Sequence, residues 1–324
     1  MLYPLKFNPI LLPKVWGGEK LKGWYSEYSS GLENVGESWL VASLGEQQSQ
    51  VQNGFLAENT LGELVEVYLN ELVGDHIYRL YGEEFPLLVK IIDAKDDLSI
   101  QVHPNDDIAK KYHGGLGKNE VWYILEADAE AFVYAGFCCH ITPDEYKRAV
   151  EDGTITKYLQ KYNVKKGDYI YIPAGCVHAI GAGCTLLEIQ QSSDITYRIF
   201  DYNRPGSDGK LRPLHKEQAF ISIDFKEWRN IIRHTDFQPN ELIKIVENKD
   251  FRMFSYAVDA KQELDMTEID SFILLSVVEG EALIDMNGEL TQARLYDTIL
   301  IPASADKIMI TPKPNARFLA TYMV

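Results

Sequence analysis

The chain has 324 residues, 46% hydrophobic and 25% charged, the balance of a soluble globular protein with length for two domains or one large one. A formal charge of −16 argues against nucleic acid and anionic membrane surfaces as partners, because both select basic patches; it leaves room for a small phosphorylated ligand held by a few local cations. No apolar run approaches the ~20 residues that span a bilayer, the N-terminal stretch has no recognisable signal peptide, and Cys138, Cys139, Cys176 and Cys184 form no C-x-x-C pair, so a cytoplasmic protein with reduced thiols is expected.

Residues 1–56 are rich in Pro, Gly, Trp and Tyr, with turn signals at Gly17-Gly18 and Ser29-Ser30-Gly31 and a strand over Glu37–Ala42. Thr60 and Glu63 have the spacing of a capping box. They open a helix whose Leu61, Leu64, Val65, Tyr68, Leu69 and Leu72 recur at helical period up to Gly74. Leu87–Ile92 reads as an apolar strand carrying one lysine, Lys90. Leu98–Pro104 is a second strand, stopped by its proline; alternation puts Ser99, Gln101 and His103 on one face and Leu98, Ile100 and Val102 on the other. Asp106–Gly114 is a short helix and turn, followed by strands over Val121–Leu125 and Ala131–Phe137. Thr142 caps a helix with Pro143 at its first position, and helical periodicity runs on to about Tyr162 with a break near Gly153.

Tyr169–Ile172 is β-branched and aromatic, as a buried strand would be, and Pro173 and Gly175 break it. His178 follows the break at the start of the next strand, Thr185–Gln190 forms another, and Arg198 lies beyond a polar run. Residues 214–228 are mixed and residues 229–238 read as a connector. Strands then return near residues 254–258, 272–278, 281–285, 298–301 and 317–323, with no helical period between them.

Two segments repeat. Asp168-Tyr-Ile-Tyr-Ile-Pro-Ala matches Asp297-Thr-Ile-Leu-Ile-Pro-Ala at an offset of 129 residues, and Ile124-Leu-Glu-Ala matches Val277-Val-Glu-Gly at an offset of 153. The difference is close to the length of the helical stretch between His140 and Asn163. The expected fold is therefore mainly β, two barrels or jelly rolls, the first (1–234) with a small helical insert at about 142–162 and the second (235–324) without one. Glu120 maps to Ile273 and His178 to Lys307, so only the first copy keeps chemistry at these positions.

That chemistry is a candidate metal site. Gln101, His103, Glu120 and His178 offer two imidazoles, a carboxylate and an amide oxygen, a set that suits zinc and also manganese, iron or cobalt. Each taken singly has an ordinary reading: a strand-end histidine in a structural hydrogen bond, a surface glutamate, a turn histidine before a proline. Convergence in one barrel is what favours the metal. Lys90 needs an anion if it is buried, or snorkels at a strand end. Lys118, two residues before Glu120, is by itself a solvated loop lysine. Arg198 forks onto a phosphate or sugar oxygen, or pairs with Asp194 or Asp201. Trp16, Trp39 and Trp122 read as core, although a site-facing tryptophan can pack on a sugar ring. His76, His113, His140, His215 and His234 are read as structural.

The ordered motifs Phe-Pro-Leu-Leu-Val-Lys-Ile, Leu-Ser-Ile-Gln-Val-His-Pro, Gly-Lys-Asn-Glu-Val-Trp-Tyr-Ile-Leu, Ile-Pro-Ala-Gly-Cys-Val-His-Ala-Ile-Gly and Glu-Ile-Gln-Gln-Ser-Ser-Asp-Ile-Thr-Tyr-Arg resemble the type I mannose-6-phosphate isomerases, as do Trp16-Gly17-Gly18 and Gly36-Glu37-Ser38-Trp39. The resemblance covers most of residues 1–204. It implies a cupin-type fold with one zinc ion held by Gln101, His103, Glu120 and His178, an active-site Arg198, and a pocket lined by Lys90, Ser99, Lys118, Glu188 and Asp194, with Trp16 a candidate sugar contact. The chain lacks the large helical domain of longer members and looks like the short bacterial branch; Gly117 stands where some members have histidine. The implied reaction interconverts mannose 6-phosphate and fructose 6-phosphate through a cis-enediol. Lys118, Glu188 and Asp194 are the candidate bases, and Lys90, Ser99 and Lys118 the candidate phosphate contacts. A phosphorylated hexose is the expected ligand, on a monomer or homodimer. The rival expectations are a non-catalytic sugar-phosphate sensor and a metal-dependent oxygenase on the same barrel.

Overall fold

In a computed structural model describing residues 2–206, 208–228 and 231–324, strands dominate and the helices are short. Residues 229 and 230, the start of the expected connector, lie outside the described residues. The chain forms two units and passes between them after Ile10, Trp39, Leu87 and His234. One comprises Leu11–Trp39 and Leu88–His234; the other takes the segments ending at Ile10, Leu40–Leu87 and Thr235–Val324. No helix among the described residues is long and apolar enough to cross a membrane.

The first of these units is a sandwich of two antiparallel sheets. The seven-stranded sheet runs in the order Ile232–His234, Asp168–Ile172, Glu120–Ala127, Cys184–Gln191, Leu87–Asp93, Val35–Val41, Ile10–Gly18. The five-stranded sheet runs Leu159–Asn163, Phe132–Phe137, His178–Ile180, Ile100–Val102, Tyr197–Phe200. One apolar cluster draws on both sheets: Ile92, Trp122, Ile124, Ile170, Ile172 and Leu186 from the first, Val133, Ala135 and Ile180 from the second. A second cluster packs the outer face of the five-stranded sheet, through Ile100, Val102, Phe137, Ala179, Tyr197 and Ile199, against Tyr146, Ala149 and Val150 of helix Pro143–Glu151 and Ala219 of helix Lys216–Ser222.

This arrangement fixes which side chains look into the sandwich. Because successive strand residues face opposite ways, Ile100 and Val102 turn toward the helices and Gln101 turns inward. By the same rule Lys90 shares the inner face with Ile92, Glu120 with Trp122 and Ile124, His178 with Ile180, Glu188 and Gln190 with Leu186, and Arg198 opposes Tyr197 and Ile199. The interior is thus apolar over part of its length and polar where these charged residues meet. Leu98 is an exception to the expected face: it joins the inter-sheet cluster, because the paired strand begins only at Ile100.

The helical insert is shorter than the periodicity suggests. Helix Pro143–Glu151 has the expected cap, Thr142 Oγ1 accepting from the Glu145 amide while Glu145 closes the capping box. Gly153, at φ 67°, ends it. After one 3₁₀ turn, Leu159–Asn163 is a strand, paired with Phe132–Phe137. The pairing is non-local and overrides the local helical pattern. The helix expected over residues 61–73 is likewise divided at Leu69, whose φ is 49°.

The second unit carries an eight-stranded sheet in which Ile273–Met286 and Lys307–Met323 are single long strands where shorter ones were expected. The repeat is visible in strand register. Glu120 pairs with Ile172, and their counterparts Ile273 and Ile301 pair likewise; Tyr123 pairs with Tyr169, and Ser276 with Thr298. On the neighbouring strand Glu120 faces Gln190 and Trp122 faces Glu188, whereas Ile273 faces Tyr322 and Leu275 faces Ala320. The second interior is filled by an apolar cluster that includes Ile273, Leu275, Ile299, Ile301, Ile308 and Phe318.

Removing the Thr142 cap leaves orphan amides on a short helix that covers a sheet. Thr142→Ala should therefore cost about 1 kcal/mol, seen as a lower urea midpoint at unchanged slope. An unchanged midpoint would mean that packing alone holds the insert.

Candidate metal centre

Three ligand-type groups meet inside the sandwich. His103 Nε2 lies 3.1 Å from His178 Nε2, and Glu120 places Oε2 3.5 Å from the first and Oε1 3.4 Å from the second. All three residues are buried, and their ligand atoms lie within 4.8 Å of one another. The His103 Nδ1 faces the Ile195 carbonyl at 2.9 Å and the His178 Nδ1 faces the Cys176 carbonyl at 2.8 Å. A carbonyl only accepts, so each Nδ1 carries the proton and each Nε2 presents a lone pair. Two lone pairs and a carboxylate therefore point at one another. The Gln101 amide reaches the same point, 3.2 Å from His178 Nε2; a half-turn of the amide offers its oxygen.

The donor set fits a metal ion. Neither Glu120 oxygen has a hydrogen-bond partner although both are buried. Lys118 Nζ approaches Oε2 to 2.9 Å, an ion pair without hydrogen-bonding geometry. Such orphaned acceptors are costly unless a cation balances them. Donors around an ion at ~2.1 Å in a tetrahedron lie about 3.4 Å apart, which matches the separations here.

Burial, then Lys118 and His178, holds His103 well below the usual histidine range. Burial likewise pushes His178 down to about 4 against the pull of the Cys176 carbonyl. Both are neutral, ligand-competent imidazoles near pH 7. Burial and the neighbouring Glu188 push Glu120 up to about 7, against Lys118.

An ion-pair network surrounds this triad. Glu188 Oε1 meets Lys90 Nζ at 2.9 Å and Lys118 Nζ at 3.2 Å, and its Oε2 accepts from Trp122 Nε1 at 2.9 Å. Burial would raise Glu188, but Lys118 and Lys90 outweigh it and hold the acid at about 2. Burial would neutralise Lys90, but Glu188 and Glu37 hold its pKa above the ordinary lysine value. Lys90 is therefore paired rather than snorkelling. Glu37, without an assigned role in the sequence, joins from strand Val35–Val41; it accepts from Trp39 Nε1 at 2.8 Å and pairs with Lys14 at 3.3 Å. Its sequence signals are a charge within a largely apolar strand and its place in the Gly36-Glu37-Ser38-Trp39 motif, and the structure buries that strand throughout.

The remaining candidates are placed as follows. Ser99 is buried beside the inward strand. Trp16 packs in the inter-sheet apolar cluster, 4% exposed, a core position. Asp194 is exposed. Arg198 pairs in register with Gln101; its Nη1 donates to the Pro213 carbonyl at 2.9 Å and its Nε is buried without a partner. The alternative pairing of Arg198 with Asp201 is taken instead by Arg204 at 2.9 Å and by Arg212 Nε at 2.7 Å. Three guanidiniums thus gather around one carboxylate, in a chain of charge −16. A cleft of about 690 Å³ opens beside Lys14, Asn34, Pro205 and Arg212.

A buried histidine–glutamate–histidine cluster that could hold a metal ion, set between two jelly-roll sheets, defines a protein of the cupin type. Residues 5–131 match the family model of the type I phosphomannose isomerase catalytic domain. The chain is 36% identical over 302 residues to the mannose-6-phosphate isomerase ManA of Bacillus subtilis, covering 92% of this chain and 93% of that one. It is 33% identical to the mannose-6-phosphate isomerase of Streptococcus mutans, with 93% of each covered. The crystal structure of a Bacillus subtilis mannose 6-phosphate isomerase superimposes with a TM-score of 0.84 at 28% identity, over 99% of both chains. The chain belongs to the type I phosphomannose isomerase family.

Metal uptake should be proton-linked with a defined sign. A ligand carboxylate must be deprotonated to bind. At pH 6 Glu120, near 7, is mostly protonated, whereas His178, near 4, is already neutral. Binding at pH 6 should release about one proton, and affinity should rise with pH until about 7. Calorimetry in buffers of different ionisation enthalpy counts the protons; a heat independent of buffer at pH 6 would contradict this.

Proposed function

We propose that the unit of Leu11–Trp39 and Leu88–His234 interconverts mannose 6-phosphate and fructose 6-phosphate with one zinc ion held by Gln101, His103, Glu120 and His178, and that the unit lacking these groups is its structural companion. The observation that carries this reading is the convergence of His103, Glu120 and His178, buried and short of donors, in a chain of this family. The free cysteines support a cytoplasmic setting.

The reaction moves a proton between C1 and C2 of the open-chain sugar, and negative charge develops on O1 and O2 of the cis-enediol. Zinc in this site would supply Lewis-acid stabilisation of that charge. His103 and His178, locked by carbonyl bonds at Nδ1, keep their Nε2 lone pairs aimed without reorganisation. Two of the candidate bases lie beside the triad: Lys118, whose Nζ is ion-paired with Glu120 and Glu188, and Glu188, held at about 2; Asp194 is exposed. Glu188 stays anionic and orients both Lys90 and Lys118.

Phosphate recognition falls to a different set of cations from those the sequence suggests. Lys90 and Lys118 are committed to buried carboxylates. Arg198, Arg204 and Arg212 outnumber Asp201 and leave uncompensated positive charge for a phosphate dianion.

A coupled assay forming fructose 6-phosphate from mannose 6-phosphate tests the reading directly. His178→Ala should lose both bound metal and turnover while the protein stays folded. Arg198→Ala should reduce turnover at least tenfold, on the scale of a lost charge-stabilising contact, with metal content retained. Full turnover by metal-stripped protein would defeat the proposal, and parallel loss of metal and turnover in Arg198→Ala would make that arginine structural.

A further inference from the structure

The strands bearing the candidate ligands are laced together outside the site by a set of amides that touch no ligand atom. Asn119 sits between Lys118 and Glu120 and turns its side chain away from both. Its backbone N–H and its Nδ2 both donate to Gln191 Oε1, at 2.9 and 3.0 Å. Its carbonyl accepts from the Gln191 N–H at 3.1 Å, and its Oδ1 accepts from the Ala174 N–H at 2.9 Å. Gln191 Nε2 donates on to Asp106 Oδ1 at 3.0 Å, which also accepts from the Gly117 N–H at 2.9 Å. Both amide residues are buried, Asn119 at 7% and Gln191 at 2% exposure.

These bonds join every segment that carries a ligand imidazole or carboxylate. The Lys118 N–H donates to the carbonyl of Pro104, the residue after His103, at 3.1 Å, and the Gly175 N–H donates to the carbonyl of His103 itself at 2.9 Å. Ala174 and Gly175 form the turn that leads into His178. Gln191 ends the strand that carries Glu188. Gly117 is required where the segment meets helix Asp106–His113, because a Cβ there would lie 2.6 Å from the Asp106 amide nitrogen.

We infer that the Asn119–Gln191 amide pair is a positioning device that sets Lys118 and Glu120 against His103 and His178. This rests on the metal reading given above. The Glu120 carboxylate is held by the Lys118 ammonium at 2.9 Å, and the backbone that carries both Lys118 and Glu120 is held through Asn119, the residue between them. A carboxylate held this way is presented to a cation before the cation arrives, which is what outer partners of metal ligands do.

The test is metal release from zinc-loaded protein challenged with excess chelator, with melting temperature measured in parallel. Gln191→Met keeps the volume and removes the three side-chain bonds; Asn119→Ala removes the other half of the pair. Each should release zinc roughly tenfold to a hundredfold faster than the parent protein. Asp106→Asn keeps an acceptor for Gln191 and Gly117 and should release zinc at the parent rate. Variants that melt lower yet hold zinc as the parent does would show a merely structural role and overturn the inference, as would an Asp106→Asn protein that releases zinc as fast as Gln191→Met. A parent protein that takes up no zinc or other divalent cation would overturn the metal reading instead.

Discussion

The opposition of two imidazole lone pairs and a carboxylate is the constraint on which the rest of this unit is arranged. His103 Nε2, His178 Nε2 and Glu120 are all acceptors once the Nδ1 protons are committed to the Ile195 and Cys176 carbonyls. Left without a cation, they repel in a medium where repulsion is poorly screened. The elevated pKa of Glu120 is the same fact in another form: a proton partly answers the need that a metal would answer fully. The surrounding charges follow in turn. Three lysines, Lys14, Lys90 and Lys118, match three carboxylates, Glu37, Glu120 and Glu188, so these ion pairs balance among themselves and the two imidazole lone pairs are left facing the Glu120 carboxyl.

Strand alternation makes this possible at low cost to the core. The same strands that send Ile92, Ile124, Ile180 and Leu186 into the inter-sheet cluster send Lys90, Glu120, His178 and Glu188 into the polar zone two or four residues away. Two site residues lie just outside the strands, His103 after Val102 and Lys118 before Glu120, and both are buried. The backbone of these short segments is hydrogen-bonded, the Lys118 N–H donating to the Pro104 carbonyl and the Gly175 N–H to the His103 carbonyl.

The parts of this architecture that were legible in the sequence are those written locally. The Thr60 and Thr142 caps are each fixed by a residue three positions on, and both stand as capping boxes. The Gln-x-His spacing and the Pro-Ala-Gly break before His178 were readable because period-two alternation and proline geometry need no knowledge of the partner strand. Leu159–Asn163 was not readable, because its strand character comes from Phe132–Phe137, and its local spacing continues a helix. Glu37, Arg204 and Arg212 escaped for a similar reason. A charged residue in a strand or after a turn looks solvated until its partners, Lys90 and Lys14 in one case and Asp201 in the other, are folded beside it. Asn119 and Gln191 carry no local signal of their pairing, which only the fold shows. Trp16 illustrates the reverse: a residue offered as a sugar contact sits in apolar packing, because Ile92, Ala94 and Leu98 close around it.

The second unit supplies an internal control on what the ligand cluster is for. It repeats the strand pairing around positions 273 and 301 in the register of positions 120 and 172. At those positions it buries Ile273 for Glu120, and Ala320 stands across from Leu275 where Glu188 stands across from Trp122. The position matching His178 is Lys307, which pairs with Glu263 at the surface. An apolar core fills the space, and the same register forms without a charged interior. Jelly-roll pairing therefore does not need His103, Glu120, His178, Lys118 or Glu188. Burying five titratable groups is destabilising relative to an apolar filling of equal volume, so their retention in one unit marks a cost borne for chemistry rather than for folding.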